Sequence, residues 1–173
     1  MSGEVVYALE RFRGDDARAG PPTDRSRFER ILDRHHRRLR RVCVGMVGAD
    51  RADDVLQDAY LKAYLRLPKR FANEAHEATW LYRVVYRCCL DELRRERRSK
   101  ETSLPEIHVV ERTPPDVADA LRGLSPRDRA VLLLVDLLGF SYDEAAAILR
   151  VPRGTVASRL NAARERFRRT SDA

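Results

Sequence analysis

Residues 141–169 read SYDEAAAILR VPRGTVASRL NAARERFRR, and this stretch decides the fold class. Ser141 can cap a helix, with Glu144 three residues on as in a capping box. Ala145, Ala146, Ile148 and Leu149 form an inner face at helical spacing. A short turn at Arg150-Val151 follows, and a longer basic helix starts at Pro152 or Arg153 and runs to about Arg169. A short capped helix, a turn and a long arginine-rich helix have the rhythm of a helix-turn-helix. In that motif the second helix enters the DNA major groove, and its first side chains reach base edges. Here those are Arg153, Thr155, Ser158 and Arg159, with Val156 suited to the core. Arginine can fork onto guanine, and Thr and Ser can bond bases or phosphates. Arg164 and the later arginines suit phosphates or solvation. A helical hairpin with a solvated basic face would look similar, so the motif alone is only moderately specific.

Working upstream, Ser125-Pro126 is a helix start with proline at the first helical position. Its helix carries Val131, Leu134, Val135 and Leu138 and stops at Gly139. Before it, residues 99–115 change character. From Glu101 to Leu121 there are five acids and one base, and Pro105, Pro114 and Pro115 forbid a continuous helix. This is an acidic, proline-containing linker, for which a solvated tether is the plain reading.

Farther upstream, a helix from about Arg27 bears Phe28, Ile31, Leu32, Leu39, Val42, Cys43 and Met46 at helical spacing, and Gly45 and Gly48 weaken its end. Asp50 is the expected cap of a second helix, in which Val55, Leu56, Ala59, Tyr60 and Ala63 keep the period until Pro68 ends it. Residues 68–77 read as a polar loop. Thr79 is the expected cap of a third helix. Its stripe is Leu81, Val84, Val85 and Cys88, while Trp80, Arg83, Arg87 and Arg94 share another face. The third helix runs into Arg94–Lys100, where five positive charges meet one negative.

The predicted architecture is all-α, with two small helical domains. Residues 1–25 are a disordered lead-in, 26–98 the first domain, 99–115 the linker and 116–173 the second domain. Across 173 residues the net charge is +7, and the pI is near 9.8. A basic chain of this size is drawn to polyanions, nucleic acid first and acidic membranes second. No apolar run approaches the ~18 residues of a membrane span, and no signal peptide is expected. The expected location is the cytoplasm.

Enzyme chemistry has no visible seat. There is no Gly-rich phosphate loop and no His-Glu-x-x-His. His35, His36, His76 and His108 lie in polar or loop contexts. Cys43, Cys88 and Cys89 show no zinc or disulfide spacing and read as small core residues. No metal and no cofactor are expected.

Three ordered motifs carry a resemblance. Asp54-Val55-Leu56-Gln57-Asp58-Ala59-Tyr60-Leu61 resembles the D-V-x-Q-E-x-F-L helix of bacterial sigma factors. Trp80-Leu81-Tyr82-Arg83 through Asp91-Glu92-Leu93-Arg94-Arg95 is similar to the helix that follows it in that family. Leu124-Ser125-Pro126-Arg127-Asp128-Arg129, Gly139 to Ala146 and Gly154 to Leu160 resemble the family's C-terminal domain. With only two domains, the chain looks like the extracytoplasmic-function (ECF) subclass.

The resemblance implies sigma region 2 for 26–98 and sigma region 4 for 116–173. It implies that Asp53, Asp54, Gln57 and Asp58 dock on the clamp helices of the largest subunit of core RNA polymerase, with region 4 on the flap of the second largest. Promoter DNA is then held at two points. The −35 duplex meets Arg153, Thr155, Ser158, Arg159 and Arg164. The separated −10 strand meets Arg66, Lys69, Arg70, Phe71, Asn73, Trp80, Arg83, Tyr86, Arg87 and Arg94, since a base taken from the stack needs polar edges and an aromatic surface. An anti-sigma protein is a further implied partner. Tyr86-Arg87 replaces the family's usual Arg-Asn, Arg150 stands at a turn position often held by glycine, and Ala157 stands where lysine or arginine is frequent. The alternative to this reading is a free-standing helix-turn-helix regulator. It leaves the first domain without a role and predicts tight duplex binding without polymerase.

Overall fold

The computed structural model describes residues 22–102 and 117–171. Residues 1–21, 103–116 and 172–173 lie outside the described residues, and with them most of the expected 1–25 lead-in and of the expected 99–115 linker. The described residues form helices only. In the first domain these are α1 (Pro22–Val47), α2 (Ala49–Leu65) and α3 (Glu74–Thr102). The second holds α4 (Val117–Arg122), α5 (Pro126–Leu132), a π-helical turn (Leu133–Leu137), α6 (Tyr142–Leu149) and α7 (Arg153–Ser171).

Three boundaries differ from expectation. Helix α1 starts at Pro22 rather than near Arg27, with Asp24 in its first turn, where the positive end of the helix dipole favours a negative charge. Asp50 does not cap α2; Gly48, at φ 88°, is the cap residue and Asp50 falls inside the first turn. Thr79 does not cap α3 either. Asn73 does that, its Oδ1 accepting from the His76 backbone N–H at 2.9 Å. Local polar side chains compete for the free N–H groups at a helix start, and Asn is among the strongest caps. Helix α3 then continues to Thr102, past the predicted domain end at residue 98.

In the second domain the caps at Ser125 and Ser141 follow their sequence signals, whereas α4 and the π-helical turn were not expected. The Ser125 side chain accepts from the Asp128 N–H at 3.2 Å. Ser141 and Glu144 form the reciprocal capping box. Arg150 closes α6 in the left-handed region, at φ 56° and ψ 50°.

Helices α1, α2 and α3 pack on one another, and α7 packs on α5 and α6. The two groups are also joined, because α3 packs on α6 and α1 touches α4, α5 and the π turn. One continuous core runs from Phe28 through Leu81 and Tyr82 to Phe140, Ile148 and Leu160. At the junction the Tyr82 and Phe140 rings meet edge to face, 4.9 Å between centroids. Arg38 lies over the Phe140 ring and donates to the Leu138 carbonyl. Gly45 admits the Leu133 side chain, for a Cβ there would come within 2.7 Å of it. The glycine that weakens α1 in the sequence is where the second domain seats itself.

Arg129 bolts the junction. It is buried and donates to the carbonyls of Met46, Arg122 and Leu124. These groups lie at the ends of α1 and α4, where carbonyls lack intrahelical partners and the dipole favours a cation. Burial holds the guanidinium pKa below its ordinary value, with repulsion from Arg122 adding to the effect.

Candidate nucleic-acid interface

Val156 and Leu160 are fully buried, which turns the opposite face of α7 outward. Arg153 and Ser158 stand exposed, with Thr155 and Arg159 half-buried beside them. Arg153 sits over the half-buried Tyr142 ring at 5.8 Å and 3.4 Å from Asp143, and since Arg153 and Asp143 are both exposed its guanidinium is positioned yet weakly held. The Ser158 hydroxyl donates to the Thr155 carbonyl at 3.2 Å. Arg164 is placed apart from these. It grips Asp136 with two bonds of 2.9 and 2.6 Å, about 16 Å along the helix axis from Arg153. Asp136 is thus a competitor for any phosphate at Arg164.

The side chains expected at a separated strand divide into two groups. In the first, Phe71 packs against Trp80 with centroids 5.3 Å apart, and Arg27 covers the outer face of Phe71 at 5.2 Å. Arg27 also donates to the Pro68 and Lys69 carbonyls at 2.7 and 2.9 Å, which fixes the loop before α3. Arg66, Lys69, Arg70 and Asn73 are exposed around it. Asn73 spends its Oδ1 on the cap and on the His76 ring, leaving its amide nitrogen for a ligand. Trp80 is half-buried, packed on Phe71 with part of its ring still accessible.

In the second group, Arg83, Tyr86, Arg87 and Arg94 project from α3 toward the other domain. Together with Arg159 they line a cleft of about 630 Å³ between the domains. Arg83 donates across it to the Ala147 carbonyl at 2.7 Å, and its Nε is buried without a partner. One residue of the set expected at the −35 duplex, Arg159, therefore faces four of the set expected at the −10 strand. Arg127 and Arg150 line the same cleft and were not among the expected contacts. Arg127 lay within the Ser-Pro-Arg-Asp-Arg motif and Arg150 at the turn, but only tertiary packing brings them to α3.

The acidic set of α2 also divides. Asp53 accepts from Arg40 of α1 at 2.8 and 3.2 Å, and that pairing lowers its carboxyl pKa. Asp54 and Asp58 point instead toward α3, beside Arg51, Lys62 and Glu92. Gln57 is half-buried. A protein docking on Asp54 and Asp58 meets exposed carboxylates, whereas Asp53 must first release Arg40. Cys43, Cys88 and Cys89 are buried thiols, as expected of core residues.

A second, larger groove of about 1260 Å³ lies between α1 and the second domain. Its walls include Val44, Leu121, Leu132 and Leu137, and its rim includes Arg37, Arg41 and Arg168. Among the described residues no His/Cys/Asp/Glu group could hold a metal, and no helix is long and apolar enough to cross a membrane.

Comparison with known proteins gives the geometry a family. The Sigma-70 region 2 model matches residues 31–99 and the Sigma-70 region 4 model matches residues 116–167. The ECF RNA polymerase sigma factor SigM of Mycobacterium tuberculosis is 37% identical over 153 residues, covering 84% of this chain and 78% of that one. The chain belongs to the sigma-70 family, in its extracytoplasmic-function group. Another relative, the ECF RNA polymerase sigma-E factor of Escherichia coli, is 28% identical over 165 residues, covering 82% of this chain and 85% of that one. Two solved structures share the fold of this sigma factor. The sigma factor RpoE, in complex with the anti-sigma factor NepR from Bartonella quintana, superposes with a TM-score of 0.69 at 24% identity, over 84% of this chain and 97% of that one. CnrH, in complex with the cytosolic domain of CnrY, gives 0.64 at 23% identity over 99% and 98%.

Proposed function

We propose that this sigma factor acts in the cytoplasm, binds core RNA polymerase and brings it to promoters. Region 4 would read the −35 duplex through Arg153, Thr155, Ser158 and Arg159. Region 2 would trap the separated −10 strand on Trp80, Phe71 and the α3 arginines. The observation that carries this reading is the placement of surface arginines and a half-buried aromatic on two domains that match sigma region 2 and sigma region 4. Melting draws on binding energy, with no nucleotide hydrolysis by this chain. The Asp54 and Asp58 face of α2 serves the polymerase clamp helices, and region 4 the flap.

In the closed arrangement Arg159 of the −35 set looks into the same cleft as Arg83, Tyr86, Arg87 and Arg94 of the −10 set, so promoter engagement through these residues needs the domains to part. Core polymerase supplies the opening by holding each domain separately. An anti-sigma protein supplies the reverse. The large groove, apolar inside and ringed with arginines, suits an acidic amphipathic helix from such a partner.

Run-off transcription with purified core polymerase tests the reading. Transcripts from a cognate promoter should depend on adding the chain. Arg153→Ala with Arg159→Ala should weaken −35 binding by about 1–3 kcal/mol per specific contact while core binding persists. Asp54→Arg with Asp58→Arg should cut co-purification with core polymerase. Tight duplex binding without polymerase would instead identify a free-standing regulator.

A further inference from the structure

The cleft between the two domains carries far more positive charge than the protein neutralises. Arg83, Arg87 and Arg94 reach it from α3, Arg127 from the start of α5, Arg150 from the turn and Arg159 from α7. Asp91 is the one acid on its lining, and it already pairs with Arg94 at 3.0 Å. Among the described residues, Arg87, Arg127, Arg150 and Arg159 make no hydrogen bond or ion pair. The cost is visible at Arg83, whose pKa is lowered by burial and then by repulsion from Arg150 and Arg87. A region-2 face and a region-4 face are being held together against their own charge.

An anion between them would turn that repulsion into attraction. The space of about 630 Å³ lies within the ~300–1,000 Å³ typical of small-molecule sites. Guanidinium forks from both walls favour several phosphates over one, since each fork holds a phosphate by two charge-assisted bonds. Tyr86 is half-buried among Arg94, Arg127 and Arg159, with Leu90 and Val151 beside it on the lining. That is an aromatic and apolar strip on which a flat ring can lie.

We propose that this cleft binds a nucleoside polyphosphate, its phosphates bridging arginines of both domains and its base on Tyr86. A bound ligand ties region 2 to region 4 and keeps the closed form. It also occupies Arg83, Arg87, Arg94 and Arg159, so it excludes promoter DNA if those residues serve as described above.

Binding is measurable on the full chain alone, without polymerase or DNA, so its outcome is independent of the promoter assignment. GTP and inorganic tripolyphosphate are titrated calorimetrically at physiological ionic strength. GTP should bind saturably at one site and raise the Tm by about 5–10 °C at a hundredfold excess over Kd. Tripolyphosphate should bind about tenfold more weakly for want of a base to stack. The Arg127→Ala/Arg150→Gly variant changes two exposed positions outside the proposed DNA contacts. It should weaken GTP roughly tenfold or more while its unliganded Tm does not fall. Equal binding of tripolyphosphate overturns the nucleoside assignment. Non-saturable binding, or undiminished binding by the variant, overturns the site.

Discussion

His35 and Glu77 show how one buried pair sets a pH response. Glu77 is buried, accepts from Arg34 at 2.6 Å and lies 3.4 Å from the His35 ring. Even so, burial outweighs the attraction of Glu77, and the His35 pKa sits below its ordinary value, with Arg34 and Arg38 adding small repulsions. The sign follows from linkage. Where the folded pKa is depressed, the unfolded chain binds protons more readily, so stability rises with pH through the region below about 6.5. Protonation on acidification then costs stability. His35→Gln should flatten the pH dependence of the Tm between about pH 5 and 7, and an unchanged slope would assign that dependence to other groups.

At the scale of elements, the turn between α6 and α7 is the point of local strain. Arg150 adopts the left-handed conformation, the only described non-glycine residue with positive φ. An L side chain pays about 1–2 kcal/mol there. Arg150→Gly should therefore raise stability by about 1 kcal/mol, less than the full strain because glycine adds entropy to the unfolded chain. In a protein of this size that is a Tm increase of about 2–4 °C. The capping box at the other end of α6 works in the opposite sense. Ser141→Ala should lower stability by about 1 kcal/mol, since the Glu144 N–H loses its acceptor and the Glu144 carboxylate loses the Ser141 hydroxyl.

For the whole molecule the deciding quantity is the junction between domains. Leu133 against Gly45, Tyr82 against Phe140, and Arg129 on the Met46 carbonyl hold it together. The arginine cleft on the same junction pushes back. Gly45→Leu places a side chain where Leu133 now sits and should favour the open form. A larger radius of gyration in small-angle X-ray scattering, with helical content unchanged, would show this. The same variant should bind a −35 duplex more readily, because Arg159 is no longer turned into the cleft. An unchanged radius would mean that Leu133 shifts aside and the junction survives.

The sequence by itself determined most of the helices, though neither α4 nor the π-helical turn after α5. Period-3.6 stripes, Pro68, the Ser125-Pro126 start, the Ser141–Glu144 box and the turn at Arg150 are local signals, each acting within a few residues. They also mark Val156 as core and Arg153 as surface. Capping was less legible at α2 and α3, because Gly48 and Asn73 compete with Asp50 and Thr79 over a short distance and a sequence does not rank near-equal caps. Only the tertiary structure decided that Asp53 faces Arg40, that Arg164 is held by Asp136, and that arginines 50 or more residues apart share one cleft. Those outcomes depend on which faces meet across the junction. Local periodicity says which face of a helix is apolar, but the partner it chooses is set by shape and charge summed over both domains.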